Sequence, residues 1–401
     1  TGPGIISGTV SGESGRLDGA RIQAQPHGAG NPASATTDAA GHYTLALTPG
    51  FYDLTATAFG HAANTVWNVH VLTKSTQRVD FTLSALPTGR LQGTVTVAPA
   101  SLPPTRPVTV QVQGTSVTAT VDTSGQYSLA LPADDYVVEL RGNGYRVVTA
   151  SVEIVADAIT TQNFSLISAP TLLLVDEGAW HYQSQTSYWQ AALDTLRYAY
   201  DTVSIIDPPV TEHFTTSVSA YDMVLWSSPE SSPGLVQAGE VLTDYLSSGG
   251  RLLLSGQDVA FFDSGVALTV PGQRYLRDHL SARFLEDNAP ARSLTGSGPF
   301  SGMTITITGG SGADNQRYPD EISVRDPDIS EQVWRYAGGD GGGLAAHICT
   351  PYRALFFSFG YEAIAEAATR REVMSRALDW LALPPPTEGL TLTYQRGPRI
   401  G

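Results

Sequence analysis

Hydrophobic and polar positions alternate along the first part of the chain in two stretches that repeat each other. Residues 38–60 (DAAGHYTLALTPGFYDLTATAFG) align with residues 122–144 (DTSGQYSLALPADDYVVELRGNG) at an offset of 84 residues. In each stretch D-x-x-G predicts a tight turn, because Asp caps its own turn and Gly accepts a positive φ. The Tyr-x-Leu-x-Leu that follows alternates at period 2, which predicts a strand with one buried face. The offset suits one small β-sandwich module per repeat.

Further matching segments extend the repeat in both directions. Two first strands and two last strands are predicted, at Ile6-x-Gly8-x-Val10 and Leu91-x-Gly93-x-Val95, and at Phe81-Thr-Leu83 and Phe164-Ser-Leu166. We therefore predict one all-β sandwich module at residues 1–85 and another at residues 86–168.

These motifs resemble a known family of small domains. G-x-V, D-x-x-G-x-Y-x-L and P-G-x-Y-x-L-x-A are similar to the carboxypeptidase regulatory-like family of seven-stranded sandwiches, which are Ig-like or transthyretin-like, over residues 4–84 and 88–167. The second copy departs from the pattern at residues 132–135, where Pro-Gly would be expected. The resemblance implies modules that are mostly non-catalytic and serve as spacers, folding aids or adhesive units.

The pattern changes after Pro170 to apolar runs that alternate with helical periodicity. Continuous apolar runs are typical of parallel strands buried on both faces. Alternation of such strands with helices predicts a doubly wound α/β domain, here at residues 169–383. The predicted strands cover residues 172–175, 202–206, 221–226, 251–254, 303–307 and 354–359, and the predicted helices cover residues 187–200, 235–247 and 366–381. Two glycine-rich stretches, residues 309–312 and 338–343, predict flexible hairpin loops.

Residues 384–401 form a separate segment. Three consecutive prolines, residues 384–386, predict a stiff linker. Residues 390–394 (LTLTY) alternate like a strand, but no partner strand is evident in the sequence. We expect this strand to pack back on the α/β domain, or to pair with another chain or with a following module.

Composition excludes some classes of partner. The formal net charge is −15, so the surface repels nucleic acid and anionic lipid. No apolar run reaches the roughly 18 residues that a membrane span needs. Cys349 is the only cysteine, which excludes an internal disulfide. With Thr1 in place of Met, and Lys74 as the only lysine, the composition favours a processed part of a secreted or cell-surface bacterial protein.

Residues 171–382 resemble a second family. LLLVDEG, YDMVLW, SSGGRLLLSGQD and LFFSFGYEAI are similar, in this order, to the class I glutamine amidotransferase-like, flavodoxin-like fold. The resemblance implies a nucleophilic Cys at the elbow after the fourth strand, and a His and a Glu after a later strand. Here the elbow carries Ser255, and Glu362 matches the acid without a His before it. We therefore expect a pseudoenzyme, because a Ser without a base is a poor nucleophile.

Two catalytic alternatives stay open. One is a hydrolase or amidotransferase-like enzyme that uses Ser255 with Glu362. The other is a dyad of His347 and Cys349, which would share one face of a strand. The interpretation favoured over the dyad is that Cys349 is a small buried hydrophobic residue and His347 a strand residue near a loop, because adjacent positions on one strand rarely aim at each other as nucleophile and base.

Candidate ligand sites are carboxylates and aromatic residues. Asp176, Glu177, Asp258 and Asp263 are predicted at the carboxyl ends of strands, where they could bind Ca²⁺ or act only as helix caps and loop charges. Loop residues of the same kind are Asp314, Asn315, Asp326 and Asp328. A sugar-stacking surface or, alternatively, core packing is predicted for Trp67, Trp180, Tyr182, Trp189 and Trp226. No other cofactor is expected.

The sequence thus predicts a non-catalytic extracellular protein with a structural or adhesive role. It would be a filament-forming subunit or the processed accessory region of a larger secreted protein. Its expected partner is another copy of itself or a neighbouring surface protein, bound through residues 390–394. The alternatives are the enzyme described above and a carbohydrate- or calcium-binding module.

Overall fold

The structure is a computed structural model that describes residues 2–210, 218–347 and 350–384. Its contacts divide the chain into two compact units. The first unit comprises Thr1–Leu140 and Val148–Leu166 and holds both repeats. The second comprises Arg141–Val147 and Ile167–Gly401. This division does not test the predicted domain boundaries, which stay predictions.

The first repeat folds into two β-sheets that share one apolar core. Its strands are β1 (Gly4–Gly12), β2 (Gly15–Arg16), β3 (Arg21–Pro26), β4 (Ala33–Thr36), β5 (His42–Leu47), β6 (Gly50–Thr57), β7 (Asn64–Val71), β8 (Thr76–Arg78) and β9 (Phe81–Thr82). One sheet is built around β1, which pairs with β2, β5, β8 and β9, and the other has the order β4-β3-β6-β7. Ile6 and Val10 of β1 are fully buried against a core that includes Leu54 of β6. Alternate residues of strands such as β3 and β5 thus enter the core, as the period of 2 predicted.

The second repeat has the same arrangement. Its strands are β10 (Thr88–Ala98), β11 (Thr109–Val112), β12 (Thr118–Thr120), β13 (Gln126–Pro132), β14 (Asp135–Arg141), β15 (Val148–Glu153), β16 (Ile159–Thr161) and β17 (Phe164–Ile167). β10 pairs antiparallel with β13 and parallel with β16, as β1 pairs with β5 and β8. The other sheet has the order β12-β11-β14-β15. The repeat in the sequence is therefore a repeat of sheet topology.

The D-x-x-G turns form as predicted. In the first module the Asp38 carboxylate accepts a hydrogen bond from the backbone N–H of His42 at 2.8 Å. In the second, Asp122 accepts one from the backbone N–H of Gln126, also at 2.8 Å. Gly41 has a φ of 75°, and the glycine of the second motif has a φ of 81°. Both turns thus need a short acceptor and a residue that tolerates a positive φ.

The glycine of each G-x-V motif makes room for a neighbouring strand. A Cβ on Gly8 would lie 1.8 Å from the carbonyl oxygen of Val79, and the Tyr43 hydroxyl donates to this oxygen at 2.7 Å. A Cβ on Gly93 would lie 1.8 Å from the carbonyl oxygen of Gln162, which accepts from the matching tyrosine at 2.7 Å. The motif is therefore a packing requirement of the sandwich, since any side chain would displace the backbone.

We expect Gly8→Ala and Gly93→Ala each to lower the free energy of unfolding by about 1–3 kcal/mol, because the added methyl group forces the carbonyl away. Gly28→Ala is the matched control, since a Cβ there meets no atom within 4 Å. Urea denaturation measures all three. A loss at Gly8 and Gly93 no larger than the loss at Gly28 would contradict the packing argument.

The second unit contains one large mixed sheet. Its strands are β18 (Leu172–Asp176), β19 (Asp201–Ser204), β20 (Met223–Ser227), β21 (Arg251–Ser255), β22 (Ala282–Glu286), β23 (Ser293–Gly296), β24 (Thr304–Thr306), β25 (Glu321–Val324), β26 (Ser330–Tyr336), β27 (Gly341–Ala346) and β28 (Arg353–Phe357). Five of them are parallel, in the order β19-β18-β20-β21-β28. β27, β26, β23 and β24 continue the sheet antiparallel, and β25 pairs with both β27 and β22.

Helices cover both faces of the parallel strands. They are α1 (Thr186–Thr195), α2 (Gly239–Ser247), α3 (Val259–Asp263) and α4 (Ala367–Ala382), with 3₁₀ turns at Gly178–His181, Gly298–Phe300 and Tyr361–Ala363 and a π-helical turn at Tyr275–His279. Trp189 of α1 and Val373 of α4 belong to one buried cluster, and Leu242 of α2 belongs to another. Leu174 and Val175 of β18 point into different clusters, which places one cluster on each face. Among the described residues, no helix is long and apolar enough to cross a membrane.

Some predicted elements have different limits. The helix predicted over residues 187–200 ends at Thr195, and Arg197 then has a φ of 59°, a left-handed conformation that ends helices. The helix predicted from residue 235 begins at Gly239. The prediction of a flexible loop at residues 338–343 is wrong from Gly341 onward, where β27 begins. Gly342 of this strand is buried. A Cβ at this position would lie 2.4 Å from the Leu294 side chain, so the close packing requires glycine.

Candidate functional site

The carboxyl ends of the parallel strands form the edge where α/β sheets place their ligand sites. β18 ends there at Asp176 and β21 ends there at Ser255. Glu177 directly follows β18, and Asp258 and Asp263 lie at the two ends of α3, which follows β21. The structure therefore brings Ser255 and the four predicted carboxylates to the same edge of the sheet.

Among the described residues, the hydroxyl of Ser255 is bonded only to backbone atoms. Its hydroxyl donates to the carbonyl oxygen of Phe359 at 2.7 Å and accepts from the backbone N–H of Tyr361 at 2.7 Å. The residue is 1% exposed. A nucleophilic serine needs a neighbouring base that takes its proton, and neither backbone group can do so.

His347 lies at the opposite edge of the sheet. β27 ends at Ala346, which pairs with Ala354 of β28. Ser255 is level with Phe357, three residues further along β28. Because β28 runs parallel to β21, His347 follows β27 at the amino edge, about 10 Å or more along the strand from Ser255. The fold thus separates the predicted serine from this predicted histidine.

The His347 side chain has its own partners. Its Nε2 lies 3.0 Å from a carboxylate oxygen of Glu331, and its ring packs edge-on against Trp380 with 5.3 Å between the ring centroids. Cys349 lies outside the described residues, so the predicted pairing of Cys349 with His347 stays a prediction.

Glu362 lies in the 3₁₀ turn that follows β28 and is completely buried. Its Oε1 accepts a hydrogen bond from the Asn315 side chain at 2.9 Å. Its Oε2 has no hydrogen-bond partner among the described residues. Burial raises the pKa of Glu362, which favours the neutral carboxylic acid. Such a group does not supply the charge that orients a histidine in a catalytic triad.

Glu177 is the central carboxylate of this edge and is also completely buried. It accepts a hydrogen bond from the Ser228 hydroxyl at 2.8 Å and another from the Trp226 indole N–H. Burial is the main cause that raises the pKa of Glu177 to about 7, and the hydrogen bonds partly oppose it. Glu177 therefore fastens the end of β20 to the end of β18.

Asp263, which lies at the end of α3 after β21, also bonds to the segment that follows β20. Its carboxylate accepts hydrogen bonds from the Ser232 hydroxyl at 2.6 Å, the backbone N–H of Gly234 at 3.0 Å and the Tyr275 hydroxyl. Burial raises the pKa of Asp263 to about 6. Glu177 and Asp263 together hold residues 228–234, the segment that follows β20, against the sheet edge.

The remaining two predicted metal ligands do not complete a metal site. Asp176 accepts a hydrogen bond from the Ser184 hydroxyl at 2.6 Å. Asp258 precedes α3 without a side-chain capping bond, and burial, with Asp287 and Glu230 nearby, raises its pKa to about 7. In the part of the chain that the structure describes, no three His, Cys, Asp or Glu residues form a group able to hold a metal. Ca²⁺ binding stays a prediction.

The loop carboxylates that were predicted as Ca²⁺ ligands form hydrogen bonds within their own turns. Asp314 accepts a hydrogen bond from the backbone N–H of Gly309 at 2.9 Å. Asp326 accepts one from the backbone N–H of Asp328 at 2.9 Å. These bonds are the side-chain turns that short acidic residues form in loops.

The five aromatic residues predicted as a sugar-stacking surface differ in their exposure to solvent. Trp189 and Trp226 are completely buried, so the alternative of core packing applies to them. Trp180 is partly buried, whereas Trp67 is 71% exposed and Tyr182 is fully exposed. Only the exposed aromatic residues are available for stacking on a ligand.

One buried carboxylate at this edge belongs to no motif that the sequence analysis identified. Asp320 is completely buried, and its Oδ2 accepts a hydrogen bond from the backbone N–H of Phe261 at 2.9 Å. Its Oδ1 has no partner among the described residues. Burial, with Asp258 and Asp287 nearby, raises the pKa of Asp320 well above its usual value. Only folding places this loop residue beside α3, so no sequence signal marked it.

We expect stability to fall as the pH rises through the pKa of Glu177. A carboxyl group whose pKa is raised by folding contributes stability below its unfolded value, and this contribution is lost as the pH passes about 7. The loss is up to about 3 kcal/mol. Glu177→Gln should remove this part of the pH dependence between pH 5 and pH 8, as measured by urea denaturation.

The exposed Glu286 of β22 provides the control, because Glu286→Gln removes a carboxylate that is not buried. Its curve should stay parallel to that of the wild-type chain. If Glu177→Gln and Glu286→Gln give the same pH dependence, Glu177 does not titrate as a buried group.

Comparisons with solved structures found remote similarities. The TIE protein of Bacillus anthracis is 20% identical over 44% of this chain and 37% of that chain, with a TM-score of 0.21. The minor pilin of Streptococcus agalactiae is 14% identical over 42% of this chain and 97% of that chain, with a TM-score of 0.26. A shaft pilin of Lactobacillus rhamnosus GG is 12% identical over 42% and 98%, with a TM-score of 0.24. Such low TM-scores carry no argument about this chain.

The comparison with curated proteins gave no match. The comparison with family models matched the carboxypeptidase regulatory-like domain at residues 5–84 and again at residues 90–167. These limits agree with the two sandwich modules and with the first of the two resemblances in the sequence. The chain therefore contains two carboxypeptidase regulatory-like domains in tandem.

Proposed function

We propose that this chain is a non-catalytic structural or adhesive protein of the cell surface or the extracellular space. Its second unit would be a flavodoxin-like domain of the class I glutamine amidotransferase type that has lost its catalytic centre. The observation that carries the proposal is the bonding of Ser255, whose hydroxyl, within the described part of the chain, bonds only to the backbone of Phe359 and Tyr361.

The strand arrangement supports the flavodoxin-like assignment. Five parallel strands in the order β19-β18-β20-β21-β28 correspond to the order 2-1-3-4-5 along the chain. Helices pack on both faces, and the elbow position after β21 carries Ser255. In this arrangement an active member would keep an open cleft above the elbow, so the residues beside Ser255 bear on the proposal.

The loop of residues 315–320, which precedes β25, packs against the segments that follow β21 and β28. Gln257 accepts hydrogen bonds from the backbone N–H groups of Arg317 and Tyr318 at 2.8 and 3.1 Å. The side chain of Gln316 accepts from the backbone N–H of Gly360 at 2.7 Å. Residues 315–320 are thus bonded to the segments that follow both β21 and β28. This packing supports the proposal, because Ser255 is only 1% exposed beneath the segments that this loop is bonded to.

The two tandem domains support a structural role. Both are compact sandwiches, and the family implies spacers or adhesive units. An acidic surface with a formal net charge of −15 keeps such a protein soluble and disfavours nucleic acid as its partner.

We expect Ser255→Ala to leave hydrolysis of a broad ester and amide panel at the background rate of the wild-type chain. The same change should lower the free energy of unfolding by about 1–3 kcal/mol, because two buried backbone groups lose their partner. Hydrolysis assays and urea denaturation measure the two effects. Turnover by the wild-type chain that disappears in Ser255→Ala, or in Cys349→Ala, would instead assign the hydrolase.

Self-association through residues 390–394 is part of the proposal. These residues lie outside the described part of the chain, and their alternating pattern alone supports a strand that pairs with another copy. Electron microscopy of the purified full chain should reveal oligomers or filaments. Deletion of residues 387–401 should convert them to monomers. A Thr391→Pro, Thr393→Pro double variant keeps the length and should act like the deletion. Assembly that persists in both variants refutes strand pairing, and a monomeric full chain refutes self-association.

A further inference from the structure

A cleft of about 250 Å³ opens beside α3, and Ser255 is not among its lining residues. Its lining comes from the end of α3, the loop and π-helical turn that follow it, and the strands β22 and β25. The volume lies just below the roughly 300–1,000 Å³ of pockets that hold drug-sized ligands. A ligand of this cleft is therefore small.

Two arginines of the cleft lie on one face of the β22–β25 ribbon. Arg283 pairs with Ser323 across the two strands. The backbone N–H of Arg325 donates to the carbonyl oxygen of Ser281 at 2.7 Å, which continues the same register. Arg283 and Arg325 are therefore diagonal neighbours on one face, with their Cβ atoms roughly 7–8 Å apart. Side chains of this length can reach a common anion from that distance.

These two arginines are not neutralised by the protein. Neither guanidinium group has a hydrogen-bond or ion-pair partner among the described residues. Arg277, which also lines the cleft, differs because it forms a fork with Asp278, with distances of 2.7 and 2.8 Å. Two free positive charges side by side are unexpected in a chain with a formal net charge of −15. Their mutual repulsion is relieved when an anion binds between them.

The rest of the lining is suited to an apolar body. Leu276 and Phe284 both contribute to the cleft. Asp263 is its acidic lining residue, but it is completely buried, and its oxygens already accept hydrogen bonds from Ser232, Gly234 and Tyr275. It therefore offers no free acceptor to a bound cation, and the exposed charge of the cleft is positive.

We propose that this cleft binds a small organic anion, a carboxylate on a compact apolar body, through Arg283 and Arg325. The guanidinium fork matches a carboxylate with two parallel N–H···O bonds, which gives both orientation and affinity. The apolar part lies against Leu276 and Val266, which also line the cleft. This site is independent of the proposed loss of catalysis at Ser255.

Benzoate and benzamide test the proposal, because they share shape and size and differ in charge. Ligand-observed NMR titrations of the full chain should give saturable binding of benzoate. Benzamide should bind at least about tenfold more weakly, since it lacks the charge that strengthens hydrogen bonds to arginine. Benzoate binding should also weaken as the salt concentration rises. Equal binding of the two compounds, or no saturable binding of benzoate at tens of millimolar, overturns the proposal.

Variants locate the site. Arg283→Gln and Arg325→Gln should each weaken benzoate binding by about fivefold or more, and the double variant should abolish it. Arg335→Gln is the matched control, because Arg335 is an exposed arginine on β26 outside the cleft. It removes the same charge and should leave the dissociation constant within about twofold. Thermal unfolding verifies that all variants are folded. Benzoate binding that survives the double variant, or falls equally in Arg335→Gln, places the anion elsewhere and refutes the assignment.

Discussion

The second unit depends on the hydrogen bonding of the polar groups buried at the carboxyl edge of its parallel strands, where Ser255, Glu177 and Asp263 find partners inside the protein, whereas one oxygen each of Glu362 and Asp320 has none among the described residues. A buried donor or acceptor without a partner costs about 1–3 kcal/mol. Ser255 is bonded to the backbone of Phe359 and Tyr361. Glu177 and Asp263 are bonded to side chains and backbone of the segment after β20. These three side chains thus bond the segments that follow the parallel strands to the edge of the sheet.

The same bonds support the proposal that the second unit is not catalytic. A catalytic edge keeps donors and acceptors free for a substrate and places a base next to its nucleophile. Here the hydroxyl of Ser255 forms two hydrogen bonds to the backbone, and Glu177 and Asp263 already accept hydrogen bonds from neighbouring groups. The buried carboxylates have raised pKa values because the sheet and its covering segments exclude water from them. Their perturbation therefore reflects structural burial, and geometry has to decide whether such a residue is also functional.

The sandwich modules were largely predictable because their constraints are local. Alternation at period 2 predicted the strands, and Asp38 and Asp122 marked the turns that their carboxylates cap. The close approach of Gly8 to the carbonyl of Val79 was not predictable, because the two residues come from strands that only the sheet brings together. In the second unit the apolar runs marked the parallel strands. Helix limits and the buried glycine-rich strand β27 depended on packing against neighbours such as Leu294.

The sequence by itself determined the two repeated modules, the position of Ser255 after a buried strand and the absence of a histidine next to Glu362. Periodicity and turn residues act over a few positions, so they can be seen along the chain. Tertiary structure alone decided what surrounds these residues. The partners of Ser255 are 104 and 106 residues away, and His347 was assigned to the opposite edge by the antiparallel register of β27. Arg283 and Arg325 become neighbours only through pairing of β22 with β25, because contacts between distant segments depend on register and not on local pattern.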